Sequence, residues 1–484
     1  MQGAENFTLA GRSCKLTFEK KDGYLYLTDF TLQSPLLKAK QSNAVVFHQI
    51  HLAGGDRNAH HGAKHIAAGE SAAAQFVGRR NKKTADGEEH CFTFRTDKLK
   101  IQTHFRFFQG MNAFCVYNTV TNISDREVCL EEVNSLLLGG LGVGGKSSAY
   151  DSLRLYIPHN SWHTEVQWQK YSLRELSLFN GNNNTNMKRV SINNVGSWST
   201  KEYLPMGILE NTETGTFLLW QIEANGSWHY ELGDCDNEIY LNVGGPNFTD
   251  NFWAKRLAPG ETFRGISSAF AAGNSLNEVL GEITLYRRKI RRPNKDNEQL
   301  PAVFNSYMHA FWDYPDENSL RPLIDRVAEL GCEYFCIDAG WHDEEDWWST
   351  IGEWRESETR FPSGVKNTVD YIRSKGMKAG LWLEIESVGK NSGLLSQLKR
   401  GQLLERNGAF VMDHGRYGLN FADRRVRKYA DAVVDRMMSY GIDYIKIDYN
   451  VDIGPGTDYR SDSLGDGLLQ HGRAYLDWLR GVYK

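Results

Sequence analysis

The chain has 484 residues, of which 40% are hydrophobic and 24% are charged, and its formal net charge is −4. This length is enough for two or three domains, and the scattered, nearly balanced charges indicate neither a nucleic-acid nor a membrane partner. The N-terminal stretch "MQGAENFTLAGRSCK" lacks the apolar core of a signal peptide, and no apolar run approaches the ~18 residues of a membrane helix, so we expect a cytoplasmic protein.

Residues 1–275 are predicted to form a β-rich domain. Short segments of alternating hydrophobicity recur there, and turn-forming clusters such as "KKDG" and "APGE" separate them. Many short strands of this kind favour a large β-sandwich. The 13 Trp and 22 Tyr of the chain fit such a core as well as they fit a surface that stacks on sugar rings.

Residues 276–301 are predicted to be a helical linker between domains. The helical pattern lies in "SLNEVLGEITLYRRKIRRPN", where Ser275 is a suitable N-cap and Pro293 ends the helix.

Residues 302–484 alternate between strand and helix patterns. Four apolar segments each precede an amphipathic helix, and they read "AVFNSYM", "YFCID", "KAGLWLEIE" and "YIKID". Such alternation predicts a parallel sheet covered by helices. A complete (β/α)8 TIM barrel needs ~250 residues, so this span holds either a doubly wound sheet or about the first half of a barrel. A half barrel would have open edge strands, which soluble proteins rarely tolerate.

Polar side chains follow three of these predicted strands. The residues at the strand ends are Asp338 and Trp341, then Trp382, Glu384 and Glu386, then Lys446, Asp448 and Asn450. Functional groups collect at the carboxyl ends of parallel strands, and carboxylates beside aromatic rings suit a sugar pocket. The alternative for a single residue such as Asp338 is a helix N-cap.

Lys446 and Asp448 lie two residues apart, so their side chains share one face of the fourth strand. A nearby ammonium keeps a carboxylate ionised, as a nucleophile that attacks an anomeric carbon requires. A buried structural ion pair is the alternative.

The long loop after the second strand carries Trp347, Trp348 and Trp354 in an acidic stretch. One or more of these rings line the predicted pocket, or all of them serve as packing beneath a solvated loop.

No metal or organic cofactor is predicted. The histidines of "HHGAKH", His60, His61 and His65, have no carboxylate or cysteine partner near them in the sequence. We interpret them as part of a surface loop.

Five motifs occur in a characteristic order: "IDAGW", "GEWRESETRFPSGVK", "KGMKAGLWLEIESVG", "GRYGLNFADRRVRKYA" and "YIKIDYN". In this order they resemble glycoside hydrolase family 36, the bacterial-type α-galactosidases of the melibiase clan. The resemblance implies an N-terminal β-supersandwich followed by a TIM barrel, a carbohydrate substrate and no cofactor, and homo-oligomers are common in that family.

The resemblance also implies roles for individual residues. Asp448, which ends a Lys-x-Asp motif, matches the nucleophile of a retaining mechanism, and Lys446 and Asp338 match residues that contact sugar hydroxyls. Trp354 matches a pocket tryptophan and Arg416 a sugar-binding arginine.

Three further residues complete the predicted substrate-binding set. Tyr307, in "FNSYM", falls where the family often has an aromatic pocket residue, and Trp341 and Asn450 join it from the strand ends.

The sequence departs from the family pattern at several positions. Ala339 stands in place of a second aspartate, Ile447 in place of a tryptophan, and "LWLEIES" in place of a Glu-Pro-Glu motif. These changes leave terminal α-galactosides and α-N-acetylgalactosaminides open as substrates, in that order of preference, and hydrolysis and galactosyl transfer open as reactions.

In the family, the general acid/base aspartate and the segment that reads the sugar 2-position follow later barrel strands. Neither has a counterpart in these 484 residues. We therefore expect the chain to be truncated after its fourth strand–helix unit, with the acid/base residue outside it. The alternative from another functional class is a non-catalytic carbohydrate-binding chain.

Overall fold

The computed structural model describes residues 5–32, 34–38, 46–56, 64–179, 186–342, 344 and 346–482. The chain divides into two compact units. The first comprises Met1–Arg291 with Asp462–Asp466, and the second comprises Arg292–Ser461 with Gly467–Lys484.

The first unit is built mainly from strands, as predicted. They are β1 (Glu5–Ala10), β2 (Lys15–Lys21), β3 (Tyr24–Thr31), β4 (Pro35–Lys38), β5 (Ile50–Leu52), β6 (Gln75–Thr84), β7 (Gly87–Arg95), β8 (Leu99–Phe108), β9 (Ala113–Asn122), β10 (Val128–Leu141), β11 (Leu153–His159), β12 (Gln167–Ser172), β13 (Arg189–Asn194), β14 (Met206–Asn211), β15 (Thr216–Ile222), β16 (Trp228–Cys235), β17 (Glu238–Gly244), β18 (Lys255–Leu257), β19 (Thr262–Arg264) and β20 (Ser268–Gly273). The helices are α1 (Gly69–Ala72), α2 (Ala149–Ser152), α3 (Phe248–Asn251) and α4 (Leu276–Ile290).

These strands form two ten-stranded sheets. The first has the order β1-β2-β3-β4-β10-β17-β16-β13, with β5 and β18 also paired to β10; the second has the order β12-β11-β14-β15-β20-β9-β8-β7-β6, with β19 paired to β9. Phe18 of the first sheet contacts Phe92 and Phe105 of the second, with ring centroids 4.9 and 5.6 Å apart. Because successive residues of a strand face opposite sides, the alternating hydrophobic pattern supplies one buried row from each sheet to this aromatic core.

Helix α4 begins as its sequence predicts, because the Ser275 side chain accepts a hydrogen bond from the backbone N–H of Glu278. Val279, Ile283 and Tyr286 of this helix are buried in a core shared with the second sheet. The segment predicted as a linker therefore includes a helix that is packed into the first unit.

The second unit alternates strands and helices. Its elements are α5 (Lys295–Gln299), β21 (Val303–Asn305), a helical turn (Tyr307–Phe311), α6 (Glu317–Glu329), β22 (Tyr334–Ile337), α7 (Trp347–Thr350), α8 (Val365–Ser374), β23 (Lys378–Leu383), β24 (Ser387–Gly389), a second helical turn (Gly393–Gln397), β25 (Glu405–Arg406), β26 (Ala409–Phe410), β27 (Met412–Asp413), β28 (Arg416–Gly418), α9 (Arg424–Ser439), β29 (Tyr444–Ile447) and α10 (Leu464–Val482). Among the helices of the described ranges, none is long and apolar enough to cross a membrane.

The four predicted strands of this unit form one parallel sheet with the order β21-β22-β23-β29. Alternate residues pack outward against helices: Phe335 and Leu381 share a core with Ile324 of α6 and Val369 of α8. The other set of alternate residues faces the opposite side and is polar toward the strand ends.

The polar face of this sheet is concave. Strands two apart in a flat sheet are separated by roughly 9.5 Å, yet the rings of Tyr334 on β22 and Tyr444 on β29 have centroids 6.0 Å apart across β23. Gly380 of β23 makes this approach feasible, since a Cβ there would lie 2.6 Å from the Tyr444 ring. The curvature brings side chains from non-neighbouring strands within hydrogen-bonding distance.

Candidate active site

Asp338 is the centre of the polar group at the strand ends. Its Oδ2 accepts hydrogen bonds from Lys446 Nζ, at 2.7 Å, and from the Asn305 side-chain amide, while its Oδ1 accepts from the backbone N–H of Ala339 at 2.8 Å. The carboxylate is buried, whereas 36% of the Lys446 side chain is exposed. Three strands of the parallel sheet thus contribute to one charge pair, whose carboxylate is buried and whose lysine is partly exposed.

The sequence pattern placed the Lys446 ammonium beside Asp448, and this pairing is wrong. Lys446 donates to Asp338, across β23, because the concave sheet brings the two strand ends together. Lys446 does form an ion pair, as the alternative interpretation predicted, but its partner is Asp338.

Asp448 follows β29 directly and is half-buried. Its Oδ2 accepts a hydrogen bond from the indole N–H of Trp382 at 3.1 Å, and its Oδ1 accepts from the backbone N–H of Tyr449 at 3.1 Å. Two donors therefore fix the orientation of a carboxylate that solvent reaches. Such a group is able to act as a nucleophile or to stabilise a developing positive charge.

Tyr307 and Asp313 form the side of the site contributed by the segment that follows β21. The Tyr307 hydroxyl donates to Asp313 Oδ1 at 2.7 Å. Burial raises the pKa of Tyr307, and the carboxylates of Asp313, Asp338 and Asp448 raise it further, so the phenol stays protonated as a donor. The Trp312 ring lies 5.6 Å from the Tyr307 ring and is 54% exposed.

Arg416 and Glu384 form a fully buried ion pair beneath this surface. Glu384 also accepts hydrogen bonds from Ser387 and, at 2.9 Å, from the side chain of Asn450. The Arg416 guanidinium stacks on Trp348, 3.3 Å from the ring centroid. Arg416 and Asn450 were predicted to bind substrate. In the structure both side chains donate to Glu384.

Glu386 is a second buried carboxyl group near the strand-three end. Neither of its side-chain oxygens has a hydrogen-bond partner among the described residues. Burial raises its pKa well above the usual value, and the neighbouring Glu384 and Asp448 raise it further. The carboxyl group of Glu386 therefore keeps its proton to a higher pH than an ordinary glutamate does.

Two of the predicted sugar-contacting rings, Trp341 and Trp354, are fully buried and lie 6.4 Å apart in an aromatic core. Trp341 donates its indole N–H to the backbone carbonyl of Trp382 at 2.9 Å. The structure gives neither ring a solvent-facing side, so both act as packing beneath Trp382. Of the two remaining loop tryptophans, Trp347 is buried and Trp348 is 38% exposed.

Asn305 and Asp313 are absent from the predicted site, although Asn305 ends β21 and Asp313 lies in the segment after it, where such residues collect. Trp382 was predicted at a strand end without a role. The position of each residue along the chain was a usable signal. Asn305 and Trp382 donate to carboxylates at the ends of other strands, however, and only Asp313 has its partner, Tyr307, nearby in the sequence.

Outside this unit, His65, His229 and Glu231 place their ligand atoms within 4.8 Å of one another. The arginine Arg189 lies among them, donating to Glu231 at 2.5 Å and to Asp250 at 2.8 Å. The carboxylates of this group are therefore already neutralised by a cation of the protein itself, which argues against a bound metal ion.

The expectation of a surface loop is wrong for His65, and His60 and His61 lie outside the described residues. His65 is buried, and its ring nitrogens contact Glu132 at 2.8 Å and Asp250 at 3.0 Å. Burial alone would lower the pKa of His65, but these carboxylates raise it to about 9. The partners are far away in sequence and close only in the folded sandwich.

Residues 271–476 match the family model described as Melibiase. The chain is 27% identical over 288 residues to α-galactosidase 1 of Pediococcus pentosaceus, covering 58% of this chain and 38% of that protein. It is 26% identical over 321 residues to α-galactosidase Mel36A of Lactobacillus acidophilus, covering 62% of this chain and 42% of that protein.

A solved structure has the same fold. A variant of the family 36 α-galactosidase AgaA from Geobacillus stearothermophilus, in complex with raffinose, aligns with a TM-score of 0.78 and 15% sequence identity. The alignment covers 99% of this chain and 70% of that one. The matches to the two curated relatives, by contrast, span less than half of those proteins' length.

Proposed function

We propose that the whole protein is a retaining glycoside hydrolase that acts on terminal α-galactosides. The match of residues 271–476 to the Melibiase family model and the similarity to two α-galactosidases support this proposal. The observation that supports this most directly is the half-buried Asp448 carboxylate, oriented by Trp382 next to the Asp338–Lys446 pair. The raffinose complex of a fold neighbour supports a galactoside as the substrate class.

In the first step, an Asp448 oxygen attacks the anomeric carbon of the sugar. The bond from that carbon to the leaving oxygen breaks as a carbon–oxygen bond to Asp448 forms, and an acid protonates the leaving oxygen. In the second step, water attacks the same carbon, gives its proton to the conjugate base, and releases Asp448. The sugar thus leaves with its original anomeric configuration.

This mechanism requires a second carboxyl group ~5–5.5 Å from the nucleophile. Of the described carboxyl groups near Asp448, Asp338 is paired with Lys446 and Glu384 with Arg416, and Glu386 is buried without a hydrogen-bond partner. We place the general acid/base outside these 484 residues.

We also propose that the parallel sheet is the first half of a (β/α)8 barrel. The concave, polar face of the sheet and the sequential strand order support this. Within the described residues β29 pairs on one side only, with β23, and its free side borders a groove of about 1230 Å³ that includes Ile445, Ile447 and Trp478. Exposed edges of this kind are normally covered or paired.

The proposal is tested by hydrolysis of an aryl α-galactoside by the whole protein, with the first-formed sugar anomer followed by proton NMR. We expect α-galactose to appear first and Asp448→Asn to abolish turnover. Asp370→Asn is the control, because Asp370 forms only an exposed i,i+4 pair with Lys366. Turnover that survives in Asp448→Asn, or β-galactose as the first product, would contradict the proposal.

The same assay separates hydrolysis from the related reactions. A new disaccharide at high sugar-acceptor concentration would indicate galactosyl transfer, and preference for the aryl α-N-acetylgalactosaminide would move the substrate assignment to that sugar. Binding of galactose without any turnover would favour the carbohydrate-binding alternative.

A further inference from the structure

The carboxylate of Asp313 differs from those of Asp338 and Asp448 in having a free oxygen. Its Oδ1 accepts from the Tyr307 hydroxyl, while its Oδ2 has no hydrogen-bond partner among the described residues. By contrast, both oxygens of Asp338 and both oxygens of Asp448 already accept hydrogen bonds. A half-buried carboxylate oxygen with vacant lone pairs is a strong acceptor for a sugar hydroxyl.

The local backbone holds Asp313 in place. Trp312, the residue before it, has φ 50° and ψ −123°, a conformation that costs energy for any residue with a side chain. The Asp313 carbonyl packs against Gly340, which has φ +89° and where a Cβ would collide with that carbonyl. The Asp313 loop and the turn after Asp338 are therefore in direct contact.

The surroundings of Asp313 have the chemistry of a sugar subsite. The Trp312 ring is 54% exposed and lies edge-to-face with the Tyr307 ring at 5.6 Å. Tyr307 is close enough to Asp313, Asp338 and Asp448 for all three carboxylates to raise its pKa. An exposed ring offers a surface for the apolar face of a pyranose, and the carboxylates offer acceptors for its hydroxyls.

We propose that Asp313 is a specificity-determining residue, which accepts a hydrogen bond from one ring or exocyclic hydroxyl of the galactose unit through Oδ2. This inference rests on the proposed function and extends it. Tyr307 acts as a positioning residue that fixes the rotamer of Asp313. A sugar that lacks the recognised hydroxyl leaves the carboxylate desolvated and unpaired, and is rejected for that reason.

The test is the dissociation constant of galactose and of its 2-, 3-, 4- and 6-deoxy analogues, measured by titration calorimetry on the whole protein. Wild type, Asp313→Asn and Tyr307→Phe are compared. We expect Asp313→Asn to weaken galactose binding about ten-fold. We also expect one deoxy analogue to bind wild type about as weakly as galactose binds Asp313→Asn. The Asp313→Asn substitution should not weaken the binding of this analogue any further.

That coupling between one hydroxyl and one side chain is a result that a purely structural role would not produce. Tyr307→Phe removes the partner of Oδ1 and is expected to weaken galactose binding less than Asp313→Asn does. Galactose binding that is unchanged in Asp313→Asn, or equal losses for galactose and all four analogues, would overturn the inference alone. Wild-type protein that binds none of these sugars would overturn the proposed function, and this inference with it.

Discussion

The indole N–H of Trp382 donates to Asp448 Oδ2 at 3.1 Å, so a core tryptophan of one strand orients the carboxylate at the end of the next. The Trp382 ring itself is stacked on His342, with centroids 5.7 Å apart and an interplanar angle of 7°. The direction of the Asp448 side chain is therefore coupled to the packing of the aromatic core. This relationship makes Trp382 a positioning residue for the proposed nucleophile.

Replacing Trp382 with phenylalanine keeps an aromatic ring and removes the hydrogen bond to Asp448. We expect kcat/KM for an aryl α-galactoside to fall about ten-fold or more, because a hydrogen bond to a charged group contributes ~1.5–3 kcal/mol. The matched control is Trp478→Phe, since the Trp478 N–H donates to Asp431 at 2.9 Å, outside the site. Equal activity losses in the two variants would contradict the positioning role.

Breaking the buried Glu384–Arg416 pair is expected to destabilise the second unit. Glu384→Gln leaves the guanidinium of Arg416 buried without its counter-charge, which costs ~3–5 kcal/mol. Urea unfolding followed by tryptophan fluorescence measures this loss. Glu329→Gln, which breaks an exposed pair with Arg326, is the control and is expected to change the free energy of unfolding by less than ~0.5 kcal/mol. An equally small loss of unfolding free energy in Glu384→Gln would show that the buried pair does not stabilise the fold.

Glu386→Gln is expected to stabilise the protein at neutral pH. The folded-state pKa of Glu386 is raised, so the contribution of this group to stability is complete below the unfolded value of 4.5 and is lost as the pH rises above it. Glutamine has the same shape and never ionises. The thermal midpoint of the variant should therefore exceed that of wild type at pH 8 by more than at pH 5.

The exposed Glu358→Gln variant serves as the control for this comparison. A constant difference in midpoint across this pH range, or a Glu386→Gln variant that is less stable at pH 8, would mean that Glu386 is ionised and stabilised in the fold.

His65 is expected to make the stability of the first unit fall at alkaline pH. Its folded-state pKa of about 9 lies above the unfolded value of 6.5, so its stabilising contribution is present below pH 6.5 and is lost as the pH rises through 9. The free energy of unfolding of wild type should fall by up to ~1.4 kcal/mol per pH unit between these values.

The check is denaturant unfolding at intervals from pH 6 to pH 10. His65→Gln should lack this component of the slope, whereas the exposed His163→Gln should retain it. Parallel pH profiles for wild type and His65→Gln would contradict the assignment.

The sequence alone was sufficient for those features that depend on local pattern. Continuous apolar segments predicted the strands that end at Ile337 and Ile447, and the N-cap at Ser275 was correct because a capping hydrogen bond spans only three residues. The placement of Lys446 and Asp448 on one strand face follows from the two-residue period of a strand.

The partners of these residues were not predictable in the same way, because they depend on sheet curvature and on distant segments. Lys446 pairs with Asp338, 108 residues earlier, and His65 contacts Glu132 and Asp250, which are 67 and 185 residues away. Likewise, a tryptophan has the same sequence signature in a core as in a pocket, so Trp341 and Trp354 were assigned to the wrong environment.

Trapping the covalent intermediate on Asp448 tests the proposed mechanism most directly. The whole protein is incubated with a fluorinated α-galactosyl donor that forms the glycosyl-enzyme quickly and releases it slowly, and peptides are then analysed by mass spectrometry. We expect a single galactosyl adduct on the peptide that contains Asp448, which excess galactose competes away and which is absent in Asp448→Asn. An adduct on another carboxylate such as Asp338, or active enzyme that carries no adduct, would contradict it.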